Sequence, residues 1–207
     1  MTRERWMAAC FAAGSTCFLV GPAPGYAGLV GEAADAITFF VGSILFTAGG
    51  ALQSILAFPG RRADAGGGAA WRAAVVQSAG TLFFNVMTFR ALLTSIESPE
   101  YDRLVWRPDA FGSICFLVSG AIAYRASPRQ GWRPARGSWQ PGVNLLGCIF
   151  FGISAVAGYV VPSTGSVVDL AASNFNTSLG AACFLACALA GLRGTRSESE
   201  VYEPAAQ

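Results

Sequence analysis

Six apolar stretches of this chain carry the same box: a glycine, a small residue, two further residues and a phenylalanine. The boxes are Gly14-Ser15-Thr16-Cys17-Phe18, Gly42-Ser43-Ile44-Leu45-Phe46, Gly80-Thr81-Leu82-Phe83-Phe84, Gly112-Ser113-Ile114-Cys115-Phe116, Gly147-Cys148-Ile149-Phe150-Phe151 and Gly180-Ala181-Ala182-Cys183-Phe184. On a helix, positions i and i+4 share a face. Each stretch therefore presents a notch beside an aromatic knob. Small residues let helix backbones approach closely, which is the packing chemistry of helices in a bilayer. The six boxes are expected at helix–helix contacts rather than against lipid.

Composition supports that setting. The chain has 207 residues, of which 53% are hydrophobic and 13% charged, with a mean hydropathy of +0.47. A soluble domain carries about 25% charge. A net charge of +2 gives no nucleic-acid signal. The cysteines, Cys10, Cys17, Cys115, Cys148, Cys183 and Cys187, all fall inside apolar stretches. They read as small packing residues rather than a disulfide framework. Cys183 and Cys187 share a helical face, but with no His in the chain and no carboxylate nearby no metal site is expected. No cofactor is expected either.

A span needs about 20 mostly apolar residues. Six are read, over about 6–20, 36–58, 73–96, 110–124, 142–161 and 170–192, followed by a polar tail, 193–207, expected to be disordered. The first stretch, with Arg3 and Arg5 before its apolar run, also has the form of a secretory signal. Its likeness to an internal stretch, Gly14–Tyr26 against Gly112–Tyr124, argues for a retained helix. With the N-terminus inside, the inner segments hold Arg3, Arg5, Arg61, Arg62, Arg72, Arg125, Arg129, Arg133, Arg136, Arg193 and Arg196. The outer loops hold only Arg103 and Arg107. The positive-inside rule then places both termini in the cytoplasm.

A longer period runs through the boxes. Glycines of the odd helices, Gly14, Gly80 and Gly147, are 66 and 67 residues apart; those of the even helices, Gly42, Gly112 and Gly180, are 70 and 68 apart. Trp6, Trp71 and Trp139 precede the odd helices, and Asp35, Asp109 and Asp169 the even ones. The expected fold is all-α: a polytopic bundle of six transmembrane helices in three tandem hairpins, about 1–60, 61–130 and 131–192. An inverted three-plus-three repeat is the rival arrangement.

The run Phe39-Phe40-Val41-Gly42-Ser43-Ile44-Leu45-Phe46 resembles the signature of YrhK-like proteins, small bacterial membrane domains built as a two-helix hairpin with a Gly-Ser-x-x-Phe box in each helix. The chain resembles three such hairpins in a row, departing at Gly147-Cys148 and Gly180-Ala181. The resemblance implies a bacterial inner-membrane location and a hairpin architecture, not a mechanism.

The third helix is the polar one. Gln77, Thr81, Asn85 and Thr88 form one stripe, and Asn144 stands three residues before its box glycine, as Gln77 does. In lipid such a stripe must face protein or water. It serves either interhelical hydrogen bonds or a path for a solute or ion. Arg90, near the outer end of that helix, is expected either to pair with Asp109 or Asp35 or to snorkel to the head groups. An enzyme is not expected, for want of His and of an intramembrane carboxylate pair. The function expected is structural or interactive, with the bilayer as partner and a membrane protein or second copy beside it; the alternative is a small transporter or channel. A cavity reaching Asn85 favours the second, a closely packed bundle the first.

Overall fold

The structure, a computed structural model, describes residues 1–62, 67–127, 139–161 and 164–201. The arginine-rich loop 128–138, with Arg129, Arg133 and Arg136, lies outside the described residues, as does the end of the tail from 202.

Seven α-helices follow in order: α1 Arg3–Val20, α2 Tyr26–Val30, α3 Glu32–Ala57, α4 Gly67–Ala91, α5 Arg107–Ala126, α6 Gln140–Ala157 and α7 Leu170–Val201. Local chemistry sets their ends. Thr2 caps α1, its hydroxyl accepting from the Arg5 N–H at 3.4 Å. The short α2 lies between Gly25 and Gly31, whose φ values of 87° and 88° only glycine adopts cheaply. A carboxylate oxygen of Asp169 accepts from the Ala172 N–H at 2.8 Å and opens α7. Pro108 and Pro141 stand in the first turns of α5 and α6, where a missing N–H costs nothing.

Three ends depart from expectation. Helix α4 stops at Ala91, because Ser95, Ser98 and Pro99 belong to a run of turns. Helix α6 stops at Ala157; beyond Gly158 the chain folds back through an antiparallel bridge between Val160 and Val167. Helix α7 continues past Leu192 to Val201, into the tail expected to be disordered.

The six long helices close into a ring. Helix α1 packs on α3, α3 on α4, α4 on α5, α5 on α6, α6 on α7, and α7 back on α1. Neighbours run antiparallel: Phe39 meets Gly21, Phe18 meets Gly42, and Phe11 meets Gly49. One end of the ring therefore gathers the starts of α1, α4 and α6 with the ends of α3, α5 and α7. The other gathers α2, the turns after α4, and a π-helical turn at Asp102–Trp106. There the Trp106 indole N–H donates to the Ala155 carbonyl at 2.8 Å, tying the turn to α6.

Burial is inverted relative to a soluble bundle. On α4, Thr81 and Thr88 are 0% and 1% exposed, while Leu82 and Val86 are 57% and 49% exposed. Helices α3, α5 and α6 likewise turn Ile44, Ile114 and Ile149 outward and Ser43, Ser113 and Ser154 inward. Water penalises that arrangement; lipid favours it. Three helical stretches, Glu32–Arg62, Gln140–Ala157 and Leu170–Gly194, are long and apolar enough to cross a membrane. The remaining three carry more charge or polarity: Arg3, Glu4 and Arg5 open α1, the polar stripe runs along α4, and Arg107, Asp109 and Arg125 flank α5.

Candidate functional site

The boxes meet in reciprocal pairs. A Cβ on Gly14 would stand 2.8 Å from the Phe46 ring and 2.9 Å from the Gly42 carbonyl oxygen, and one on Gly42 would stand 3.1 Å from the Phe18 ring. Between α4 and α5, Gly80 faces Phe116 at 2.7 Å and Gly112 faces Phe84 at 3.2 Å. Between α6 and α7, Gly147 faces Phe184 at 2.9 Å, and a Cβ on Gly180 would strike the Phe151 ring. Each box phenylalanine thus lies over the glycine of the opposite helix, in the space that a missing Cβ leaves. That fit draws the paired backbones together and turns all six rings toward the axis.

The six rings form one buried cluster with Cys148 and Ala181. Because α3, α5 and α7 run toward the end where α1 begins and α1, α4 and α6 away from it, the rings stack in two layers. Phe46, Phe116 and Phe184 make one layer, with centroids 5.7 to 6.4 Å apart. Phe18, Phe84 and Phe151 make the other, with Phe151 5.9 Å from Phe18 and 5.8 Å from Phe84. Phe84 and Phe116 join the layers at 5.0 Å and 82°, the edge-to-face geometry that aromatic rings prefer. The void within this septum is about 10 Å³, at the lower limit for one water.

On the side of the Phe46 layer the bundle opens into a chamber of about 670 Å³. All six long helices line it: Phe11 from α1, Gln53 from α3, Gln77 from α4, Ser119 from α5, Gln140 and Asn144 from α6, and Cys187 from α7, with Phe46 and Phe184 as floor. Ser127, Gln140 and Gly191, at the helix ends, form its rim. The size is that of small-molecule sites, about 300–1,000 Å³. Among the described residues, none of its lining side chains carries a formal charge at neutral pH. Its polar groups are partly engaged. Ser119 Oγ donates to the Ala73 carbonyl at 2.8 Å and lies 3.4 Å from Gln77 Oε1. Gln140 Nε2 donates to the Cys187 carbonyl at 3.3 Å. Gln53 Oε1 is buried with no partner.

The septum divides the polar stripe of α4. Gln77 lies in the chamber with Asn144. Beyond it, Thr81 Oγ1 donates to the Ser78 carbonyl at 2.7 Å, Thr88 Oγ1 lies 2.9 Å from Ser43 Oγ, and Asn85 Nδ2 donates to Thr47 Oγ1 at 2.9 Å. These bonds tie α4 internally and to α3. The chamber does not reach Asn85.

The pairing of Arg90 with Asp109 or Asp35 is not formed. The ion pairs among the described residues are Arg103–Glu100 and Arg107–Asp102, both 2.9 Å, at the π-helical turn. Arg90 is exposed, two residues past the buried Thr88 and so on the opposite face of α4. The pairing presumed that the polar helix is the central one. In a ring of six every helix keeps an outer face, and Arg90 lies on that of α4. One carboxylate oxygen of Asp35 is buried without a partner.

Sequence reasoning found Gln77 and Asn144 but missed Gln53, Ser119, Gln140 and Cys187. Their register to the boxes is the signal that marks them. On α1, α4 and α6 the chamber residues precede the glycine by three or seven: Phe11, Gln77 and Asn144, then Met7, Ala73 and Gln140. On α3, α5 and α7 they follow it by seven or eleven: Ser119 and Cys187, then Gln53, Ala123 and Gly191. Both are helical spacings on the face of the box.

Fold and site together describe an all-helical protein with three helices long and apolar enough to cross a membrane and an internal chamber. Comparison with family models, curated proteins and solved structures gave no match.

Proposed function

We propose that the chain is a multi-pass membrane protein without catalytic activity that takes a small solute into the chamber from the cytoplasmic side. The observation that carries this reading is the chamber itself: ligand-sized, on the axis, lined by every long helix and closed at one end by the phenylalanine septum. All six long helices cross the membrane in this reading. The three that are long and apolar enough alone are ring neighbours of the three that are not, and α4 and α5 present Leu82, Val86, Ile114 and Val118 outward. Arginine asymmetry puts the chamber end in the cytoplasm, and the resemblance to YrhK-like hairpins supports a bacterial inner membrane and three tandem units. Transport follows if the septum parts.

A structural or interaction role without a solute is the second reading. It is favoured by the outer half of the bundle, where Ser43, Thr47, Asn85 and Thr88 spend their hydrogen bonds between α3 and α4. Reporter fusions and a single cysteine separate the two. Fusions after Arg62 and after Gln130 should report inside, and near Glu100 outside. With the other five cysteines replaced by Ala, Cys187 should react with a thiol reagent if solute enters, and stay inert if the bundle is only a scaffold.

A further inference from the structure

The chamber's chemistry also restricts what it takes, an inference that rests on the reading of the chamber as a solute site. From the lining we infer that the ligand is an uncharged, flat, largely apolar molecule bearing a hydrogen-bond donor, of the aromatic carboxamide kind.

Three observations lead there. The first is charge. Among the described residues, no carboxylate or guanidinium lines the chamber. An ion entering it would lose water and gain no counter-charge, a penalty that in proteins amounts to several kcal/mol per ion. Neutral molecules escape that penalty.

The second is the set of polar groups. Gln53, Gln77, Gln140 and Asn144 are carboxamides on three helices, and each offers both a donor and an acceptor. Gln53 lines the chamber, while its Oε1 is buried in the wall with no protein donor among the described residues. A buried acceptor left unmatched is costly, so an N–H or O–H on the ligand, met when this side chain turns toward the chamber, is selected here. The carboxamide donors favour a carbonyl on the same molecule.

The third is the floor. Phe46 and Phe184 close the chamber, and Phe11 flanks Phe46 at 5.6 Å and 64°. Ring edges and faces of this kind accept a flat apolar or aromatic body. The apolar body is then directed to the septum and the polar group to the ring of amides above it.

The chamber supplies its own reporter in Cys187, whose thiol lies 3.5 Å from the Gln140 carbonyl. The full chain, with the other five cysteines changed to Ala, is placed in lipid nanodiscs and labelled with N-ethylmaleimide. Three isosteres are compared at equal concentration: naphthalene-2-carboxamide, 2-naphthoate and 2-naphthylmethylammonium. The carboxamide should slow labelling of Cys187 saturably, by about tenfold, and the two ions by less than about twofold. Gln53→Leu should raise the half-protecting concentration by about tenfold, which partition of naphthalene into lipid would not do. Gln53→Glu, which keeps the size, should move protection toward the ammonium compound. Equal protection by carboxamide and carboxylate overturns the inference. So does rapid labelling of Cys187 that none of the three slows, an outcome that leaves solute entry intact. A Cys187 inert under every condition removes both.

Discussion

The carbonyl oxygen of Gly80 lies 3.1 Å from the point where a Cβ on Gly112 would stand. The contact joins two boxes of the same type on antiparallel helices, and its equivalents join Gly14 to Gly42 and Gly180 to Gly147. Backbones this close leave no slack for a side chain. Gly112→Leu should prevent assembly of the bundle. Gly180→Ala, whose methyl would strike the Phe151 ring, should destabilise by about 1–3 kcal/mol through overpacking. Gly28→Ala, with open space around it and an ordinary φ, should leave stability unchanged. Thermal unfolding in detergent measures all three.

The Ser43 and Thr88 hydroxyls share a hydrogen bond of 2.9 Å across α3 and α4; one donates to the other, the acceptor donates to a carbonyl of its own helix, and each lies within reach of such a carbonyl. Neither is orphaned when the other is removed. Thr88→Val and Ser43→Ala should therefore each be mild, and the double-mutant cycle should give a coupling of about 0.5–1.5 kcal/mol, in the range of interhelical bonds in membranes. A coupling near zero would mean that the two helices are held by packing alone.

Leu82 and Val86 are exposed while Thr81 is buried, so the surroundings of α4 decide what a charge does there. In lipid, Leu82→Arg should cost about 2.5–3.5 kcal/mol of insertion free energy at the bilayer centre. Accumulation in the membrane fraction should fall sharply. Had this face been in water, the same change would be nearly silent.

Arg90 belongs to the same outer face, with no ion pair among the described residues. Arg90→Ala should leave unfolding within about 0.5 kcal/mol of the parent chain. A large loss would restore a carboxylate partner to the account.

Box and chamber were not equally legible in the sequence. The boxes follow from one local rule, the shared face of i and i+4, and the phenylalanines that build the septum are all box residues. Gln77 and Asn144 were visible because they stand at the same offset from their glycines. Gln53, Ser119 and Gln140 were not, because an isolated amide or hydroxyl does not reveal its face until the ring closes and fixes the axis. The position of Arg90 turned on the same point: helical periodicity places it opposite Thr88, but only the ring shows which of those two faces is inside. Helix ends were legible where a proline set them, as at Pro141, and not where a lone cap did, as at Thr2, or where turns followed apolar residues, as beyond Ala91.

The central claim is a chamber that water enters from one end and that the phenylalanines close. Helix α5 crosses both regions, so single cysteines along it in a cysteine-free chain test the claim directly. N-ethylmaleimide reacts with the thiolate, which needs water to form. Ala126→Cys and Ala123→Cys, half-buried in the chamber lining, should react readily. Ser113→Cys, beyond Phe116 and buried, should react slower by about a hundredfold. An inert cysteine at 123, or one at 113 as reactive as that at 123, would contradict the account.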